Sequence, residues 1–135
     1  MLFRSRYPVE SVEKYHKKNN PILTPDKIYS IRNDVQGICF TPEDKVVLST
    51  SYGIEDTVYY VYNEEDAIDS GNILDGAPVY YLYDHFQEIK APAMGENLDY
   101  YDGRIITLTE CASNKYVFGK LFFADKIVSL NMKEQ

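Results

Sequence analysis

The chain has 135 residues, the size of one ordinary domain, with 44% hydrophobic and 26% charged residues and no low-complexity tract, a profile that excludes a disordered chain. Its 21 Asp plus Glu outweigh 14 Lys plus Arg to give a net charge of -7, a balance that repels phosphate backbones and excludes nucleic acid unless the basic residues gather on one face. No stretch approaches the roughly 20 apolar residues of a membrane span, so none is expected, and "MLFRSRYPVESVEKYHKK" lacks the apolar segment of about 7–15 residues found in a secretory signal.

In chain order, residues 9–20, "VESVEKYHKKNN", space Val9, Val12 and Tyr15 for one helix, with Pro8 at its first turn and an Asn pair at its end. Lys14, Lys17 and Lys18 cluster there, but Glu10 and Glu13 dilute them, so the patch reads as a solvated helix face and nucleic acid is set aside. Residues 1–27 are therefore expected to form an N-terminal helix and linker. "KIYSIRND" is an extended segment with Ile28 and Ile31 among polar positions.

From residue 35 the signal is strand. "GICF" and the β-branched "KVVLSTSY" flank the turn "TPED" and predict a hairpin. "DTVYYVYN" follows as a third strand. The acidic "EEDAIDSGNILDGAP" reads as a long loop, and "VYYLYDHF" as the fourth strand of an antiparallel meander. After "QEIKAPAMG", "ENLDYYDG" and "RIITLTECA" predict another hairpin, and "KYVFGKLFFADKIVSL" two more segments divided around Gly119 and Ala124 to Asp125.

The two hairpins read as one unit written twice. At an ungapped offset of 60, Gln36 falls on Glu96, Ile38 on Leu98, Phe40 on Tyr100, Val46 on Ile106, Leu48 on Leu108 and Ser49 on Thr109. Only Leu48 and Leu108 are identical, so two unrelated hairpins with ordinary alternation stand as the alternative; coincident turns and strand lengths favour a repeat.

Repeated four-stranded antiparallel units build β-propellers. Gln36, Gly37, Ser49, Ser51 and Tyr52 in the first copy, with Pro92, Met94, Glu96 and Glu110 in the second, resemble the blades of bacterial, mostly secreted or surface-attached propeller-like proteins, of NHL- or WD-like kind, over about residues 28–131. The resemblance implies an all-β fold of two four-stranded antiparallel propeller-like blades, about 28–86 and 87–135, after the short N-terminal helix. It implies no catalytic residue set. A closed propeller has about 4–8 blades, so this chain is expected to be a C-terminal fragment whose remaining blades lie elsewhere in a longer chain, or to associate with copies of itself. As a fragment it would be extracellular or at the cell surface, with its signal upstream; read literally from residue 1 it would be cytoplasmic.

In a propeller, ligands meet loops at one channel mouth. Gln36 and Glu96 open equivalent strands, and Ser51, Tyr52 and Glu110 close the strands that follow, which makes these five the ligand-binding candidates; satisfied backbone groups at strand ends are the plainer explanation. The 13 tyrosines, with Tyr59 and Tyr81 on faces opposite to Tyr60 and Tyr80, suit carbohydrate or peptide as the unknown ligand, or packing between sheets. The expected role is a non-catalytic binding or scaffold module. The alternative is part of a propeller hydrolase or lyase acting on carbohydrate, with Glu96 and Glu110 as acid and base. His16 and His85 stand apart from any nucleophile signature, and Glu64, Glu65, Asp66, Asp69 and Asp75 match no calcium-loop spacing. Cys39 and Cys111 lie 72 positions apart (111 − 39), without metal-site spacing, and are expected as free thiols. No metal and no cofactor is expected.

Overall fold

The computed structural model describes residues 2–15, 23–109 and 127–132. The chain is mostly β, with three sheets of four, four and three strands among the described residues. It divides into two compact units: residues 1–32 with 67–83, and residues 33–66 with 84–135.

The first unit contains β1 (Leu2–Arg6), α1 (Val9–Tyr15), β2 (Lys27–Ile31), β6 (Ile68–Leu74) and β7 (Ala77–Tyr81). Its sheet runs β1-β2-β7-β6. β1 and β2 pair antiparallel from Leu2 opposite Ile31 to Arg6 opposite Lys27, while β2 and β7 are parallel, with Ile28 opposite Val79. The β6–β7 hairpin turns on Asp75 and Gly76, at φ 51° and 82°. This is the pair of positive angles a two-residue turn needs, supplied by a residue that tolerates the left-handed region and one without Cβ. Ile28, Ala77 and Val79 form the unit's core.

The second unit holds β3 (Val35–Phe40), β4 (Lys45–Thr50), β5 (Thr57–Asn63), β8 (Gln87–Ala91), β9 (Gly95–Tyr101), β10 (Arg104–Thr109) and β11 (Val128–Asn131). Two antiparallel sheets, β3-β4-β5-β8 and β11-β10-β9, share one core built from Cys39, Val47, Tyr59, Val61, Ala91, Leu98 and Ile105. Burial of each large aliphatic side chain there stabilises the unit by roughly 1.5–3 kcal/mol. Val46, Leu48 and Tyr62, whose side chains point to the other face of the four-stranded sheet, are buried too. On that second face burial is confined to the central strands, since Phe40 on β3 and Glu88 and Lys90 on β8 are exposed.

Several expectations are corrected. The sheets are not two four-stranded blades. "VYYLY" is a strand, but it joins β2 in the first unit; the fourth strand of the β3-β4-β5 meander is β8, "QEIKA", from the stretch read as a connection. The stretch read as one acidic loop contains a 3₁₀ turn at Glu64–Asp66 and strand β6. The N-terminal region carries β1 as well as the expected helix, which is seen over Val9–Tyr15; residues 16–20 of that expectation lie outside the described residues.

The offset of 60 keeps faces in β4 and β10, where Leu48 and Leu108 both point away from the shared core. It inverts them in β3 and β9: Leu98 is in the core, whereas on β3 the core position belongs to Cys39 and not to Ile38. The cause is turn length. Tyr101 pairs with Arg104 across a two-residue turn, Asp102–Gly103, while Phe40 pairs with Val46 across a longer one. A one-residue slip exchanges the faces of a strand.

Candidate functional site

The end of the second unit where β3 and β9 begin and β4 finishes is built on hydroxyl groups. Ser49 Oγ and Ser51 Oγ both donate to the Gly95 carbonyl at 3.2 Å, and Gly95 N–H donates to Thr57 Oγ1 at 2.7 Å. Thr107 Oγ1 donates to the Asn97 carbonyl at 3.0 Å and shares a hydrogen bond with Tyr59 Oη at 2.7 Å. Ser49, Thr57, Tyr59 and Thr107 are each 1% exposed or less. Buried polar atoms are tolerated only when paired, and among the described residues no buried side-chain nitrogen or oxygen lacks a partner. Burial holds the Tyr59 phenol above its ordinary pKa, partly offset by the Thr107 and Ser49 hydroxyls.

Two glycines permit this approach. A Cβ on Gly95 would come within 2.6 Å of Tyr59 Oη and of Thr57 Cγ2. A Cβ on Gly37 would collide with the backbone carbonyl of Glu96 and with Leu98 Cδ2. Met94, just before Gly95, sits at φ 61°, a left-handed conformation that costs roughly 1–2 kcal/mol and is held by the bonds at Gly95.

These contacts bring four of the five predicted residues to one end. Gln36 is exposed on β3 beside Gly37. Ser51 is half-buried, its hydroxyl engaged by Gly95 and its N–H by the Asp34 carbonyl at 3.4 Å. Tyr52 is 76% exposed, and Glu96 is half-buried at the start of β9. Glu110 lies outside the described residues.

Five further residues at this end are absent from the predicted set. Ile54 is 86% exposed on the turn closed by Glu55 N–H donating to the Tyr52 carbonyl at 3.3 Å. Asp34, Glu55 and Asp56 are exposed beside it, as is Lys90 on β8, opposite Val58. The signal for Ile54 is present in "SYGIED", a glycine turn with a large apolar residue that neither flanking strand can bury.

A second constellation lies on the far face of β5. His85 Nε2 and Glu88 Oε1 are 2.8 Å apart, and the imidazole stands edge-on to Tyr60 at 4.8 Å and Tyr62 at 6.0 Å. Tyr59, on the opposite face, belongs to the core between the sheets, so this tyrosine is a packing residue. In the first unit Tyr81 stacks on exposed Tyr83 at 5.1 Å, and Tyr80 lies under Lys27 Nζ at 5.2 Å.

The acidic stretch is self-satisfied in part: Asp66 Oδ2 accepts from Asn63 Nδ2 and Asp69 Oδ1 from Gly71 N–H. Among the described residues no group of three or more His, Cys, Asp and Glu is placed to hold a metal ion. Cys39 is a free buried thiol, its pKa pushed up to about 12 by burial and by the Asp99 charge, which makes it a poor nucleophile near neutral pH. Cys111 lies outside the described residues. No helix among the described residues is long and apolar enough to cross a membrane. Comparison with protein-family models, with curated proteins and with solved structures gives no match.

Proposed function

We propose that the chain is a non-catalytic binding or scaffold module of a bacterial extracellular β-propeller protein, its two stacked sheets serving as adjacent blades. The meander β3-β4-β5-β8, with the β6–β7 hairpin let in before its last strand, buries residues of its central strands on both faces, which supports a blade set between neighbours. The first strands of the two sheets approach closely at Gly37 and Leu98, the arrangement expected of inner blade strands.

The observation that carries a binding role is the placement of Gln36, Tyr52 and Glu96 at one end of the second unit, beside the hydroxyl bonds at Gly95. The hydroxyl bonds at Gly95 use up the Ser49, Ser51 and Thr57 side chains behind the rim, which supports leaving ligand contacts to the rim residues themselves. Positions of this kind, presented by loops on a fixed framework, are where binding residues concentrate.

The test is ligand-dependent stabilisation. A screen of glycans and peptides by thermal shift, repeated with Gln36→Ala and Glu96→Gln, should find a ligand whose shift disappears in the variants while their unliganded melting stays that of the parent. Variants that lose stability alone, with the ligand shift retained, would make these residues structural.

A further inference from the structure

Resting on that reading, we propose that this end of the second unit recognises a cationic peptide segment, gripped by Tyr52 and Ile54 and surrounded by carboxylates. Hydrogen bonds tie the rim together. The Asp34 carbonyl accepts from Ser51, Ser51 reaches the residue before Glu96 through the Gly95 carbonyl, Asp56 precedes the Thr57 that holds the Gly95 N–H, and Glu55 closes the Tyr52 turn. Asp34, Glu55, Asp56 and Glu96 thus lie on the segments that meet at this end, four carboxylates against the basic residues Lys90, opposite Val58 on β8, and Arg32, two residues before Asp34.

Tyr52 and Ile54 are 76% and 86% exposed, close together on a turn whose base is clamped at Ser51 and by Thr50 Oγ1 donating to the Val58 carbonyl at 3.0 Å. A large aliphatic side chain gains nothing from water, and on a turn hydrogen-bonded at its base the backbone beneath it has less freedom to lose when it is covered. The occupant is set by elimination among chemistries. Ile54 offers a sugar neither a stacking face nor a hydrogen bond. A second copy presenting the same end would oppose carboxylate to carboxylate in a chain of net charge -7. A peptide with Lys or Arg flanking an apolar residue satisfies both features, the apolar side chain against Tyr52 and Ile54 and the cations among the four carboxylates.

The experiment uses the full chain and fluorescein-labelled ten-residue peptides of matched apolar content carrying Lys and Arg, Ser and Gln, or Asp and Glu, read by anisotropy. The cationic peptide should bind, and its Kd should rise about tenfold between low and moderate salt as charges are screened. Ile54→Ser and Tyr52→Ser should each weaken it about tenfold, and Glu55→Gln with Asp56→Asn should flatten the salt dependence. Ile73→Ser, at a 77% exposed position on β6, should change nothing. The four binding-face substitutions lie on an exposed turn, so their unchanged melting shows the fold intact.

Equal binding of the acidic peptide, cationic binding indifferent to Ile54 and Tyr52, or no peptide binding at all would overturn the proposal. Binding of chitohexaose or xylohexaose that is lost with Tyr52→Ser, in the absence of peptide binding, would overturn it while leaving the module reading in place. Concentration-dependent self-association abolished by Ile54→Ser would reassign the tip to a second copy. If neither peptide nor glycan binds and Gln36 and Glu96 variants are silent, the binding role itself falls.

Discussion

Replacing Gly95 with alanine inserts one methyl group where the second unit has no room for it. The new Cβ would lie 2.6 Å from Thr57 Cγ2, 2.6 Å from Tyr59 Oη and 2.7 Å from Thr57 Oγ1, whereas carbon contacts are comfortable at about 3.5–4.0 Å. Thr57 and Tyr59 are both fully buried, so neither can swing toward water, and separating the sheets by the missing ångström also stretches the Gly95 N–H bond to Thr57. Overpacking contributes about 1–3 kcal/mol and the weakened bond about 1 kcal/mol, a total loss of roughly 2–4 kcal/mol. At about 4 °C per kcal/mol for a chain of this size, the melting temperature should fall by roughly 8–16 °C.

Thr57→Ser separates cause from coincidence, because it deletes Cγ2 and keeps the hydroxyl. In the parent chain it should cost about 1 kcal/mol for the lost methyl; added to Gly95→Ala it should restore about 1 kcal/mol. Thermal and urea unfolding of the four proteins, followed by circular dichroism, gives the coupling. Additive effects, or a Gly95→Ala protein that melts within about 1 °C of the parent, would refute the tight-junction account.

Other consequences can be measured in the same way. Thr107→Val should destabilise by about 1–3 kcal/mol, because it removes the hydroxyl bonded to both the buried Tyr59 phenol and the Asn97 carbonyl, whereas Tyr59→Phe should cost about 1 kcal/mol and the pair should couple in a double-mutant cycle. In a Cys111→Ser background, Cys39 should react with a thiol reagent in step with unfolding. Its folded pKa of about 12 stands above the ordinary 9.0, so its contribution is complete below pH 9 and is lost as pH rises toward 12, at most about 4 kcal/mol. In the first unit Arg6 grips Asp26 through Nε and Nη2, the latter at 2.7 Å, which lowers the Asp26 pKa from 3.8. The pair's contribution is present above that ordinary value and disappears as pH falls through the lower folded one; being about a third exposed, it amounts to roughly 0.2–1 kcal/mol, to be read from Arg6→Met unfolding at pH 6 and below pH 3.

Much of the local structure was legible because alternation is a local property. β3, β4, β5, β9 and β10 all fall where period-two runs and turn residues put them. Partnership was not legible. "VYYLY" declares itself a strand through its aromatic and β-branched residues, but nothing in those residues says that β7 pairs with β2 rather than with β5. β8 offers only Ile89 and Ala91 as apolar residues, and β6 is largely Asp, Ser, Gly and Asn around a bulge between Asp69 and Ile73, so both look like connections.

At the candidate site, Gln36, Ser51, Tyr52 and Glu96 were visible as polar or aromatic punctuation at strand ends. The hydroxyl junction behind them was hidden, since Ser49, Thr57 and Thr107 are ordinary surface residues in composition and become core residues only through bonds across two sheets. Gly37 and Gly95 were the available clue: a glycine within a strand marks a close backbone approach.

The parallel pairing of β2 with β7 sets a schedule for how the chain assembles. Ile28 meets Val79, 51 residues later (79 − 28), so the N-terminal hairpin must wait for more than half the chain before its central strand gains its second neighbour. On the ribosome, β3, β4 and β5 emerge in between and can begin their own meander first, leaving β2 with an open edge that is rich in apolar residues. Pairing across such a distance is slow to form, so the first unit should be the later of the two to close in refolding. It is there, rather than in the stacked sheets, that misassembly or exchange of a hairpin between chains would begin.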